Sequence, residues 1–429
     1  MWLTLLNAAL AAGEPCYGHL FSQRLEGEHY WVEWEPGDLP DDGAQIILDT
    51  AEHARSVYLD MGYLITDEPV VITARPFGDS GIAGLTSTRE CEQGPVPSVA
   101  LTIGNWSDRI AEEVTAHEIA HVVQYAYMGS YVDSVASWLW WMEGHATWMT
   151  PHATGGWKPY AATAQDYLER IDIALHHDVR GFGDPDASAH MYGTAFVVDA
   201  FAAWEGDDGV RSSWSWGGAR SGERLFLPTL FAENGVDFEA FWADYLARLP
   251  TLDVATPKFL NRPPTISRPN GMPAEGDSPG PETMGVEIVS IPADLGEAKR
   301  ALDVQFEGDP LAAWRVVLAV TDAEGKLVEY SPLQVDGGAA RGRVSGFDGY
   351  DAWLVVSPGA ELEGRAAWSW AAELVKDDDP QPGAVVLIER DLGGCAVGGL
   401  PARWGLGVLG ALAVWRRRGG ARARGAAVG

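Results

Sequence analysis

Cysteine is scarce. Three in 429 residues exclude both a disulfide-built scaffold and a four-cysteine zinc ribbon. Positive charge is scarce too, with 30 Lys and Arg against 61 Asp and Glu and a formal net charge of −31. A chain this acidic repels phosphate backbones, which excludes nucleic acid as a partner. What is abundant is apolar and aromatic: 46% of residues are hydrophobic and 19 are tryptophan. That is enough for a sizeable packed core, and at about 150 residues per domain the length suggests two or three units.

The two ends read as targeting segments. Residues 1–12 form a short apolar run ending in small residues, as a secretory signal peptide does, although no Lys or Arg precedes it. At the other end, Cys395 is followed by a glycine-rich spacer, an apolar run from Trp404 to Trp415 and then Arg416, Arg417 and Arg418. The stretch from Ala396 to Trp415 would be about 30 Å long as a helix, just enough to span a bilayer. Its basic end would stay cytoplasmic. This order of Cys, apolar run and arginines resembles the C-terminal sorting signal of myxobacteria. The resemblance implies cleavage by a sorting protease, lipid attachment at Cys395 and display at the surface of a Gram-negative cell, with release as a further fate. An ordinary membrane-spanning anchor is the alternative; either way the protein is exported. Removing 396–429 takes away six arginines and no acids, leaving a body near −37. Export permits a disulfide, and parity alone pairs Cys16 with Cys91.

Between the ends the pattern changes once. Residues 29–34, 69–73 and 96–103 read as strands, and 44–63 as an amphipathic helix. From 107 to about 248 the spacing is helical, with helices expected at 108–128, 134–149, 160–176, 190–204 and 236–248. Prolines crowd 263–283, which reads as a linker. Apolar runs at 286–291, 301–306, 314–321, 352–356 and 365–374 then alternate with Gly, Asp and Pro turns, and 284–376 reads as a β-sandwich. A second linker is expected over 377–394. The expected class is α+β: a mainly helical domain over 13–262, then the all-β domain and the anchor at 395–429.

The chemistry lies in His117-Glu118-Ile119-Ala120-His121. On a helix the two imidazoles project one turn apart, so both can bind one tetrahedral zinc. Glu118 is rotated about 100° from His117, within reach of a water on the metal without binding the metal itself. Two histidines leave zinc short of a ligand. Glu143, the one acid in the aromatic helix Trp138–Met149, is the leading third ligand, because a metal would offset the cost of burying its charge. His145, some 200° round that helix, is the competitor. For the oxyanion, Tyr192 is the first candidate donor and His190 the second.

The His117–His121 motif followed by Trp-Met-Glu143-Gly-x-Ala-Thr-Trp-Met resembles the gluzincin metallopeptidases, the thermolysin-like group. It looks closest to surface metalloproteases of myxobacteria and related bacteria. The stretch Gly81–Thr86 and the pair Tyr192-Gly193 fit as well, over roughly residues 28–250. The resemblance implies a zincin-like domain, bound Zn2+, and hydrolysis of protein or peptide substrates by a zinc-activated water with Glu118 as base. A monomer is expected. The competing reading is a zincin-fold surface adhesion or binding protein that has lost catalysis, against which the intact Glu118 argues.

Overall fold

The computed structural model describes residues 20–75, 84–91, 94–102, 107–128, 135–155, 167–168, 170–176, 190–217, 226–233, 235–251, 274–291, 300–347, 349–360, 362–378, 381 and 383–387. The chain divides into two compact units, Met1–Glu389 and Arg390–Gly429. The signal segment, Cys16, Cys395 and the expected anchor lie outside the described residues, as does the side chain of Cys91. Among the described residues no helix is long and apolar enough to cross a membrane.

The first unit opens with a five-stranded sheet in the order β1-β2-β3-β5-β4. Its strands are β1 (Gln23–Glu26), β2 (Tyr30–Trp34), β3 (Val70–Arg75), β4 (Gly84–Cys91) and β5 (Gly94–Thr102). β2, β3 and β5 run parallel, while β1 and β4 are antiparallel strands at the two edges. Parallel neighbours need a crossover, and helix α1 (Gly43–Asp60) supplies it between β2 and β3. Its Ile47, Ala51, Ala54 and Tyr58, spaced by three and four, are buried completely. Central β3 is buried on both faces, which explains its unbroken run of Val, Val, Ile, Thr and Ala.

Seven helices are described in this unit. α2 (Asp108–Met128) matches its expected span, and Ser107 caps it by accepting the Ile110 N–H at 3.2 Å. α3 (Val135–Thr154) runs beyond expectation despite Pro151. A helical turn at 190–193 leads into α4 (Ala195–Glu205), followed by α5 (Asp207–Gly217), α6 (Phe226–Glu233) and α7 (Phe238–Arg248). The helix expected over 160–176 is not borne out in its described second half. Residues 170–176 run mostly as turns, and the carbonyls of Ile171 and Asp172 accept from Val286 and Glu282 instead of from a helix.

The β-sandwich is present and larger than expected. One sheet has the order β10-β9-β12-β7 and the other β14-β11-β8-β13-β6. The strands are β6 (Ala274–Ser278), β7 (Glu287–Ile291), β8 (Arg300–Gly308), β9 (Trp314–Thr321), β10 (Leu327–Leu333), β11 (Ala339–Val344), β12 (Asp351–Pro358), β13 (Trp368–Lys376) and β14 (Val385–Leu387). β6 and β14 fall in stretches read as linkers. Both are edge strands held on one side only, so neither needs the apolar alternation of an inner strand.

On β9 the alternate residues Val316, Leu318 and Val320 enter the sandwich core, whereas Val317 and Ala319 enter the core of the helical part. β12 divides the same way, with Trp353 and Val355 facing the helices. Together with Met284 and Val286, these side chains put the outer face of that sheet into the core of the helical part, while the sandwich interior keeps a core of its own. At about 1.5–3 kcal/mol per large apolar side chain, that shared burial is worth on the order of 10 kcal/mol, an upper bound.

Candidate metal centre

α2 and α3 pack together and bring four functional side chains into one interior site. His117, Glu118, His121 and Glu143 are each less than a tenth exposed. The Nε2 atoms of His117 and His121 lie 3.1 Å apart. Glu143 Oε2 lies 3.0 Å from the first and 3.4 Å from the second. Donor atoms of His117, Glu118 and His121 all fall within 4.8 Å of one another, so this buried group can hold a metal ion. Glu118 differs from Glu143 in its partners. Its Oε2 accepts the Thr86 hydroxyl at 2.6 Å, and Thr86 also donates to the Glu118 carbonyl at 3.0 Å. Edge strand β4 carries Thr86, and Gly84 on the same strand is there for space. A Cβ at Gly84 would sit 2.3 Å from Glu118 Oε1.

Behind the site runs a hydrogen-bond chain that fixes the tautomer of His121. Gln124 Nε2 donates to the Met142 carbonyl at 2.8 Å. A carbonyl can only accept, so the amide cannot be flipped. Gln124 Oε1 therefore faces His121 Nδ1, 2.8 Å away, and the imidazole must carry its proton there. In the neutral ring its Nε2 is then left with a lone pair aimed into the site. The second amide hydrogen of Gln124 goes to His145 Nδ1 at 3.1 Å, and His145 Nε2 donates to the Tyr63 oxygen at 2.9 Å. His117 Nδ1 has no hydrogen-bond partner among the described residues, so of the two imidazoles only His121 is braced from behind.

Electrostatics separate the two carboxylates. Burial alone would raise both. For Glu143 the charge of His121 and hydrogen bonds from both imidazoles outweigh it, holding the carboxyl well below its usual range. For Glu118 burial wins over His121, His117 and Thr86, and its pKa rises. Burial would lower His121, but Glu143 outweighs it and carries the imidazole up to about 9. Burial pushes His145 well below 6.5, in keeping with the neutral form its hydrogen bonds require.

The other candidate residues of the site also have places. His145 does not reach the site directly; it is wholly buried beside Tyr63 and Trp214 and touches the site through Gln124. Tyr192 is half-buried, with its ring centre 5.7 Å from that of His117. His190 is occupied elsewhere, since its Nε2 donates to the Arg170 carbonyl at 2.7 Å. Gly144 lets Thr194, at the start of α4, come close (a Cβ would lie 2.1 Å from Thr194 Oγ1). Glu113 pairs with Arg109 one turn away. Gly276–Gly280 spells Gly-x-Ser-x-Gly, yet Ser278 ends a strand of the sandwich and donates to Glu287 at 2.8 Å, with no strand-to-helix elbow. Gln124, Tyr63 and the role of Thr86 escaped sequence reasoning. For Gln124 the available signal was its place three residues after His121.

Compared with models of known protein families and with the sequences of curated proteins, the chain matches none.

Proposed function

We propose that the protein is an exported zinc-dependent endopeptidase of the gluzincin kind, with His117, His121 and Glu143 as the zinc ligands. The observation that carries this reading is the triangle of Nε2, Nε2 and Oε2 atoms with sides of 3.0, 3.1 and 3.4 Å. Ligands about 2.0 Å from a tetrahedral ion stand about 3.3 Å apart, so these atoms outline one face of a zinc tetrahedron. Two neutral imidazoles and one carboxylate are the donors zinc prefers, and the enforced tautomer of His121 supplies the lone pair. Zinc bound there would act as a Lewis acid towards a water and a scissile carbonyl.

The chain's own residues account for the proton traffic. Thr86 engages Oε2 of Glu118, and Oε1, beside Gly84, carries no such partner among the described residues and is the oxygen offered to a water. A carboxyl whose pKa is raised by burial can take a proton from the attacking water and return it to the departing amine. Tyr192, whose ring packs against that of His117, is the phenolic donor for the developing oxyanion. β4 is a sheet edge beside Glu118, and an extended peptide can pair with such an edge through its backbone. Export and surface display through Cys395 remain part of the proposal on the strength of the terminal segments.

The test uses the chain from residue 13 to Glu389, the end of the compact unit. About one zinc per chain and cleavage of casein are expected. Glu118→Gln removes the base and spares the ligands, so zinc content and melting temperature stay while cleavage falls by several orders of magnitude. A metal-free wild type, or a Glu118→Gln protein as active as wild type, refutes the reading. Zinc bound without any hydrolysis would instead favour the lapsed binding protein.

A further inference from the structure

We propose that the β-sandwich is a working part of the site: through residues 281–286 it fixes residues 170–174, which hold His190 and thereby set the position of Tyr192. The inference rests on the proposed peptidase reading for the role of Tyr192, but the mechanical linkage is independent of it. His190 is buried, and its Nε2 donates to the Arg170 carbonyl at 2.7 Å. Two residues on, in the same helical turn, Tyr192 meets His117, and Thr194 donates to the Trp140 carbonyl at 2.5 Å beside Glu143. Whatever moves the Arg170 carbonyl therefore moves the turn that faces the ligands.

The segment that carries that carbonyl is held by the sandwich from two directions. Directly, Glu282 N donates to Asp172 O at 2.9 Å and Val286 N to Ile171 O at 2.8 Å, as in a short strand pair. Glu282 Oε2 accepts Ala174 N at 3.1 Å, and Arg365 pairs with Asp172 at 2.6 Å. The fit leaves no slack: a Cβ on Gly285 would sit 2.4 Å from the Asp172 carbonyl oxygen. Indirectly, the Tyr167 and Tyr245 hydroxyls lie 3.2 Å apart, which ties the 167–174 segment to α7. α7 is in turn bound to the sandwich by Glu239 to Arg315 at 2.7 Å and by Tyr330 to Asp244 at 3.1 Å. His190 is thus a positioning residue, and its use on Arg170 is why Tyr192 rather than His190 faces the ligands.

The test perturbs the linkage at its two ends. Gly285→Ala pushes on Asp172 from the sandwich side, and His190→Leu removes the peg. Each is expected to lower kcat on a fluorogenic casein peptide about tenfold or more, with KM changed less than about threefold and zinc content unchanged. In both, amide hydrogen exchange over 190–194 becomes faster, a readout that needs no activity. The double variant is expected to be no slower than the slower single one, because both act through one path. His190→Gln keeps an N–H for the Arg170 carbonyl and is expected to recover most of the loss. If Gly285→Ala does not fold, Arg365→Gln makes the same comparison at smaller amplitude. Wild-type kcat and exchange in the sandwich variants, or losses that multiply in the double variant, overturn the proposal. So does a His190→Gln protein as poor as His190→Leu, which would make His190 the catalytic donor itself. A wild type without zinc or hydrolysis refutes the peptidase reading instead, while the exchange data still decide the linkage.

Discussion

Gln124 is the residue through which the proposed zinc site can be tested most sharply, because its side chain serves three groups at once. Replacing it with leucine leaves the His121 Nδ1–H, the Met142 carbonyl and the His145 Nδ1 without their present partner. Each buried polar group so abandoned costs about 1–3 kcal/mol. Some of that returns through packing of the leucine, so a net loss of about 3 kcal/mol is expected, a large share of a typical 5–15 kcal/mol stability. The metal suffers separately. Without the acceptor at Nδ1 the imidazole is free to carry its proton on Nε2, where the metal should bind. Loss of such a partner typically weakens metal binding 10–100-fold, about 1.4–2.7 kcal/mol. Gln124→Glu separates the two effects. It still accepts from His121 Nδ1 but turns an oxygen towards the Met142 carbonyl, so zinc affinity is expected to hold within about tenfold while stability falls. Zinc dissociation constants from competition with a chromophoric chelator, beside melting temperatures, give both readings. A Gln124→Leu protein that binds zinc within about threefold of wild type refutes the tautomer argument.

Two further outcomes follow from the same geometry. Glu143→Ala is expected to strip the zinc and end hydrolysis, whereas His145→Ala keeps the metal and lowers the melting temperature through the cavity it leaves among Tyr63, Trp148 and Trp214; elemental analysis of both decides, and the opposite pattern would make the ligand set wrong. In metal-free protein, His121 is raised from 6.5 to about 9 and Glu143 is held below 4.5. The first adds stability that is complete below pH 6.5 and lost as pH climbs through 9, and the second adds stability that is lost as pH falls below 4.5. Calorimetry of the chelator-treated chain should therefore show a falling melting temperature from pH 6 to pH 9, a decline that added zinc removes by taking the proton's place. An unchanged melting temperature over that range would contradict it.

The parts of the site legible in the sequence were those set by local periodicity. His117 and His121 had to share a face because a helix turns every 3.6 residues, and α2 has the expected bounds. Glu143 stood out as one acid in an aromatic helix, for which burial without a partner would be expensive. Gln124 carries no such mark. It becomes important only when Met142 and His145 arrive from another helix, which no local pattern records. Of the sandwich strands, β7, β8, β9, β12 and β13 were legible; β6 and β14 have the compositions of edges, and β10 and β11, with Glu, Ser and Pro in one and two Arg and a Gly in the other, lack an apolar run. The shared core was hinted at by β9 and β12, apolar at consecutive positions where a sandwich with one wet face would alternate. Such a run demands a second partner, here the helices.

The bracing of residues 170–174 also bears on when the site comes into being. Ala174 and Glu282 are 108 residues apart in sequence, and Glu239 and Arg315 are 76 apart. Closing loops of this length is slow compared with winding α2 or α3. During synthesis His117, His121 and Glu143 emerge first, and strands β9 and β12 follow only after a long stretch of further chain. The ligand helices therefore wait in a loose frame until the last third of the protein has been made and folded. The proposed site is therefore expected to be completed late in the life of the nascent chain, paced by a distant β-domain and not by the His117–His121 motif itself.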